Sequence, residues 1–292
     1  MKIGLVGRFG DSPRRDAGYV RSLAQACEGA GFASLWAPEH VVFFGSYRSR
    51  YPYSPDGQPP WTGDTGIFDP LFVCALAAAV TTTLQVGTAV LILPQRPALL
   101  TAKEALTLDH LSNGRFRLGA GAGWSAEEYA ALGVPFANRG RRFDEYLQAM
   151  RAAWTQDRAS FHGEFVSFDD VVLLPKPVTP GGPPILIGGE SPAAMRRAAR
   201  LGDGWYGWWA AGELAPHLAN LRRELELAGR QEGDDFHLQL GIPYTAADST
   251  ESILAKVAEA ERCGVAELVL GVPIGAAHLD RDIARWAEAL GL

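Results

Sequence analysis

Eight short runs rich in Val, Leu, Ile and Gly punctuate this chain and constrain its fold more than any other feature. They are Lys2 to Arg8, Ser34 to Ala37, Leu84 to Leu91, Phe116 to Ala120, Pro184 to Gly188, Gly204 to Trp208, Phe236 to Pro243 and Ala266 to Val272. Each has strand composition and is bounded by Gly, Pro or Asn. Between them, apolar residues recur at helical spacing from Tyr19 to Gly31, Leu71 to Val80, Ala98 to Leu111, Ala193 to Leu201, Leu214 to Ala228 and Glu251 to Cys263. Strands that alternate with helices pair in parallel through right-handed crossovers, and eight units close a (β/α)8 barrel. An open doubly wound sheet would place a GxGxxG fingerprint after the first strand. Phe9-Gly10-Asp11-Ser12-Pro13 stands there instead. The expectation is one barrel domain over residues 1–292.

Two stretches interrupt the alternation. Residues 41–67, after the second strand, hold Phe43, Phe44, Tyr47, Tyr51, Tyr53 and Trp61 among Pro and Gly. A loop of that length is a functional insertion, and it is read as a lid over an apolar or aromatic substrate. Residues 158–180, before the fifth strand, alternate Phe161, Phe165 and Phe168 with polar residues and read as a hairpin outside the barrel.

Composition narrows the function classes. With 27 Lys+Arg against 33 Asp+Glu and no basic stripe, nucleic acid is not an expected partner. The longest apolar run, Leu71 to Val80, is half a membrane span, and the opening residues lack a signal-peptide core, so a cytoplasmic protein is expected. Cys27, Cys74 and Cys263 form no CxxC pair and are read as reduced thiols. The six histidines, at 40, 110, 162, 217, 237 and 278, show no metal-ligand spacing, and no GxSxG or P-loop motif occurs.

In such barrels chemistry gathers at the carboxyl ends of the strands. After the second strand come Glu39 and His40, a carboxylate and an imidazole able to move a proton near neutrality. After the fourth, Gly119, Gly121 and Gly123 alternate up to Trp124, leaving Gly121, Ala122, Gly123 and Trp124 as cofactor contacts. After the fifth, Gly188-Gly189-Glu190-Ser191 leads into a helix whose Ser191 cap and Pro192 make an anion site. Trp205, Trp208 and Trp209 follow the sixth. Phe44, Trp61 and Trp208 are the substrate-pocket candidates.

Four longer runs then carry a resemblance: SLWAPEH ending at His40, Val86 to Trp124, LGVPFANRGRRFDEYLQAMRAAW ending at Trp154, and Pro183 to Tyr206. In this order and spacing the chain resembles the luciferase-like monooxygenase family, in particular its branch of oxidoreductases using the deazaflavin coenzyme F420. The resemblance implies a barrel holding a flavin or deazaflavin at its carboxyl-end mouth, commonly as a homodimer. It implies a non-prolyl cis peptide at Ala89-Val90, behind the cofactor ring. Glu39 and His40 match the acid-histidine pair of F420-dependent sugar-phosphate dehydrogenases, and Phe44 stands where those enzymes have Trp. Trp124 stands where they carry a catalytic glutamate. Glu190-Ser191 matches the step at which luciferases place the flavin phosphate.

The reading that follows is hydride transfer between F420 and a small organic substrate, with His40, oriented by Glu39, moving the proton. Within the family the alternative is an FMN-dependent monooxygenase served by a separate reductase. Outside it stand a silent flavin or F420 binder and, more distantly, an aldolase or isomerase, for which no lysine sits at a strand end.

Overall fold

A computed structural model describes residues 1–292 except 62, 64, 211, 234, 235 and 245–247. In chain order the elements are β1 (Lys2–Val6), α1 (Ala17–Gly29), β2 (Ser34–Ala37), α2 (Pro70–Ala79), β3 (Gln85–Thr88), β4 (Leu91–Ile92), a 3₁₀ turn (Leu93–Gln95) and α3 (Ala98–Ser112). Then follow β5 (Phe116–Gly121), α4 (Ala126–Ala131), α5 (Arg139–Thr155), β6 (Ala159–His162), β7 (Ser167–Val171), β8 (Ile185–Gly188), α6 (Pro192–Leu201), β9 (Gly204–Trp208), α7 (Leu214–Leu227), β10 (His237–Pro243), α8 (Thr250–Arg262), β11 (Glu267–Gly271) and α9 (Leu279–Leu290).

All pairings in the large sheet are parallel, and they close on themselves: β1 joins β2 and β11, and the circuit runs β2, β3, β5, β8, β9, β10, β11. Eight parallel strands therefore form a (β/α)8 barrel. β4 continues β3 beyond a break and pairs with the top of β5. The two-stranded antiparallel hairpin β6–β7 lies outside the barrel sheet. The structure adds α4, α5 and α9 to the helices legible from periodicity.

Local sequence explains the helix ends. Asp16, Asp69, Ser125, Ser191 and Ser249 each cap a helix with a side-chain oxygen on a first-turn amide. Asn113 ends α3 in the left-handed conformation, φ 54°. Arg115 binds the carbonyl of Ala78, orphaned at the end of α2, and those of Thr81 and Leu84 in the loop that follows.

The barrel interior is layered. At its lower end Ser34, Gln239 and Glu267 form a buried polar layer, with Arg117 3.9 Å from Glu267. Above it Trp36, Leu186, Tyr206 and Val269 make an apolar cluster, on which Val6, Ala89, Val90 and Trp208 sit partly buried. That second tier is the floor of the upper mouth. Among the described residues no helix is long and apolar enough to cross a membrane.

Candidate active site

The chain leaves β2 through Pro38 and brings His40 over the mouth. Its Nδ1 lies 2.9 Å from Glu128 Oε2. Glu128 is buried in the first turn of α4, where Ser125 Oγ accepts its amide at 3.1 Å. The other carboxylate oxygen accepts the amides of Val41 at 2.7 Å and Val42 at 3.4 Å. Burial alone would push the Glu128 carboxyl up. The His40 hydrogen bond and charge, with the two amides, outweigh it and hold the group below the usual carboxylate range. An ionised Glu128 can only accept, so the hydrogen-bond pattern assigns a proton to His40 Nδ1. Nε2 has no hydrogen-bond partner among the described residues.

This corrects the expected pairing of Glu39 with His40. Glu39 is 5% exposed and turned the other way. Its Oε1 accepts Arg96 Nε at 3.0 Å and a terminal guanidinium nitrogen at 2.5 Å, and its Oε2 accepts the Ile92 amide. Arg96 also binds Asp69, the cap of α2, at 2.5 Å. Glu39 therefore ties the end of β2 to β4 and α2, and Glu128, which sequence reading passed over, orients the imidazole. The pattern Ser125-x-x-Glu128, just after the glycine run, is the capping signal that could have drawn attention to it.

The peptide between Ala89 and Val90 is cis, at the position the resemblance implies. Val90 also accounts for the glycines around it. A Cβ on Gly121 would come within 2.8 Å of one Val90 methyl, and one on Gly188 within 2.9 Å of both. The missing side chains of Gly121 and Gly188 thus make room for Val90 rather than leaving an open track for a cofactor tail. Both glycines are buried, whereas Ala122, Gly123, Trp124, Gly189 and Glu190 are partly exposed.

The insertion supplies an aromatic wall. The His40 ring lies 5.3 Å from Phe43, 5.4 Å from Trp61 and 5.9 Å from Trp124. Tyr51 packs on both Trp61 and Trp124, and Tyr47 on Trp124. Phe43, not Phe44, meets His40, while Phe44 packs on Tyr47, one ring further out. The wall is seated by α4. Glu127 Oε1 accepts the amides of Arg48 at 2.7 Å and Ser49 at 3.0 Å, beside the Val41 and Val42 amides held by Glu128. Despite some burial, Ser49 and these amides draw the Glu127 carboxyl down to about 2.

Across the mouth, Glu190 Oε1 accepts the Trp208 amide at 2.5 Å, and Oε2 faces His217 Nε2. Burial pushes the Glu190 carboxyl up to about 7, against the Trp208 amide. Ser191 Oγ is engaged as the cap of α6, accepting Ala194 N at 3.2 Å. Trp205 and Trp209 are buried in the main core, and Trp208 alone of these three packs on the floor cluster.

With this geometry in view, the sequence model of the luciferase-like monooxygenase family matches residues 3–291. The chain belongs to the luciferase-like monooxygenase family. The luciferase-like chain is 34% identical over 271 residues to protein Rv0940c of Mycobacterium tuberculosis, covering 84% of this chain and 93% of that one. It is 34% identical over 205 residues to an FMNH2-dependent dimethylsulfone monooxygenase of Pseudomonas putida, covering 69% of this chain and 51% of the relative. The coenzyme F420-dependent tetrahydromethanopterin reductase of Methanopyrus kandleri shares its fold, with a TM-score of 0.76 at 14% identity over 99% of this chain and 97% of that one. This luciferase-like protein is thus an oxidoreductase of a family whose members work with flavin or deazaflavin.

Ala89, Val90 and Trp208 present a partly buried apolar surface, which suits in character the face of a flat ring of that kind. His40 Nε2 has no hydrogen bond among the described residues. Among the described residues no group of three or more His, Cys, Asp or Glu could hold a metal ion.

Proposed function

We propose that this protein is an F420-dependent oxidoreductase that passes a hydride between the deazaflavin and a small apolar or aromatic molecule, with His40 carrying the accompanying proton. The observation behind this is the Glu128–His40 pair, whose Nε2 carries no hydrogen bond among the described residues. Ala89, Val90 and Trp208 would support the ring, and partly exposed Ala122 to Trp124 and Gly189 to Ser191 would flank its tail.

A bound deazaflavin supplies a two-electron hydride donor or acceptor. The protein does the rest. Glu128 fixes the imidazole rotamer and keeps the Nδ1 proton in place. Nε2 then accepts a proton when substrate is oxidised and, once protonated, donates it when substrate is reduced. Phe43, Tyr51, Trp61 and Trp124 exclude water around that exchange.

The likeness to the dimethylsulfone monooxygenase supports a second reading, an FMN-dependent monooxygenase supplied by a separate reductase. Titration of the purified protein with oxidised F420 and with FMN, followed by fluorescence and calorimetry, separates the two. Micromolar or tighter F420 binding with weak FMN binding is the expected result. The reverse preference overturns it in favour of the monooxygenase.

A further inference from the structure

The Glu190 side chain stands in for a missing piece of strand. β8 ends at Gly188, in register with Tyr206, while β9 runs on to Trp208. The chain turns away at Gly189, φ 114°, a backbone shape that favours glycine, and the Gly189 carbonyl is taken by the Trp205 indole at 2.9 Å. The Trp208 amide is thereby left without an acceptor from β8, and Glu190 Oε1 supplies one at 2.5 Å. Gly241 of β10 leaves room for the indole itself, because a Cβ there would come within 2.5 Å of the Trp208 ring. The other carboxyl oxygen of Glu190 faces Nε2 of His217, near the start of α7. Both atoms are buried and neither has another partner, so a proton must lie between them.

We infer that Glu190 and His217 form a one-proton clasp that fixes Trp208 on the floor of the mouth. Both are therefore positioning residues for the apolar face on which a flat ligand lies, and acid is the condition that loosens that face. The ligand half of the inference rests on the reading of the floor as the seat of the cofactor ring. Burial pushes Glu190 up to about 7 and His217 below its ordinary value, so the pair is uncharged near neutrality, with the carboxyl O–H donating to Nε2. Loss of that proton in alkali leaves a carboxylate. The neutral imidazole can then carry its remaining proton on Nε2 and donate it, so the clasp holds. A second proton, on the imidazole, sets Nε2–H against the carboxyl O–H. The carboxyl must turn, and its hold on the Trp208 amide weakens. Because burial lowers His217, this happens below pH ~6.5. Among the other titratable groups around the pair, Tyr53 of the insertion is kept protonated by burial and, once it ionises, by Glu190. Arg196 of α6 lies 4.0 Å from Glu224 of α7, and Glu213, one turn before His217, is exposed.

The test follows the Trp208 amide proton and the His217 ring nitrogens by NMR in the full-length protein without cofactor, from about pH 8 to about pH 5. The two should move together, with one apparent pKa below ~6.5. A Trp208 amide that ignores the protonation of His217 overturns the inference, and this arm needs no variant. Glu190→Gln keeps an acceptor for Trp208 and a donor for Nε2. Its Trp208 amide should hold the wild-type position at neutral pH, whereas Glu190→Ala should shift it. With FMN and F420 in turn as probes, Glu190→Ala should weaken binding by about three- to tenfold, and Glu190→Gln should recover most of that loss. A glutamine variant as weak as the alanine one would mean that the carboxyl serves the ligand through its charge, which overturns the positioning role. Joint titration in a protein that binds neither cofactor would keep the clasp and sink the hydride-transfer reading.

Discussion

Replacing Glu128 by Gln changes one atom and should reverse the imidazole. In wild type the carboxylate accepts on both oxygens, from His40 Nδ1 on one side and from Val41 and Val42 on the other. A glutamine has one acceptor. If its oxygen keeps the 2.7 Å Val41 contact, its NH2 faces His40 and donates to Nδ1. The ring proton then moves to Nε2, where the base should be. By the same logic that governs other carboxylate–histidine pairs, turnover with any substrate of the wild type should fall roughly 10²- to 10⁴-fold. Stability should fall less. A hydrogen bond to a charged acceptor contributes about 1.5–3 kcal/mol and a neutral one about 0.5–1.5, so weakening one good amide contact and one long one costs about 1–2 kcal/mol. That loss depends on pH. The folded pKa of Glu128 lies below its unfolded value, so the charged group stabilises the fold above pH ~4.3 and the benefit disappears as pH falls through the depressed folded value. The gap between wild type and Glu128→Gln should therefore close in acid. Nitrogen-15 spectra of the His40 ring report the tautomer, and guanidinium unfolding at neutral and acid pH reports the stability. A proton still on Nδ1 in the variant, or a stability gap that widens in acid, would refute the reasoning.

Glu39→Gln should behave in the opposite way. It breaks a buried pair with Arg96 and should cost about 3 kcal/mol in chemical unfolding, while the His40 ring spectrum stays that of wild type. A tautomer change there would restore Glu39 to the site. Gly188→Ala should destabilise by about 1–3 kcal/mol because its Cβ meets both Val90 methyls, and Val90→Ala in the same chain should recover most of that loss. Additive effects in the double variant would show that the two positions are independent.

The barrel strands were legible because they are buried on both faces and read as unbroken apolar runs, as Ile185-Leu186-Ile187 does. α5 was obscured by its opening Arg139-Gly140-Arg141-Arg142, with no capping side chain and no acid in its first turn. α9 did offer a signal, Leu279, Ile283, Trp286 and Leu290 at steps of four, three and four, masked by the charges between them. The site misled for a geometric reason. Neighbouring side chains on extended backbone point to opposite sides, so Glu39 and His40, adjacent in sequence, part company at the end of β2. The carboxylate that reaches His40 lies 88 positions away, on a helix of six residues that periodicity does not resolve. The glycines around Val90 show the same limit. Their spacing was visible, yet only the fold reveals that a single valine fills the space they leave.

The seat of the insertion has an evolutionary corollary. Glu127 and Glu128 grip Val41, Val42, Arg48 and Ser49 through main-chain amides, a handle that almost any amino acid carries. Apart from Ser49, whose hydroxyl also accepts the Ala126 amide, and Phe43 and Trp61, which pack on His40, the side chains that project from this segment can therefore drift, or be randomised in a library, without loosening its hold on α4. Selection for new substrates would thus act on an interchangeable surface while the proton-moving core is inherited intact.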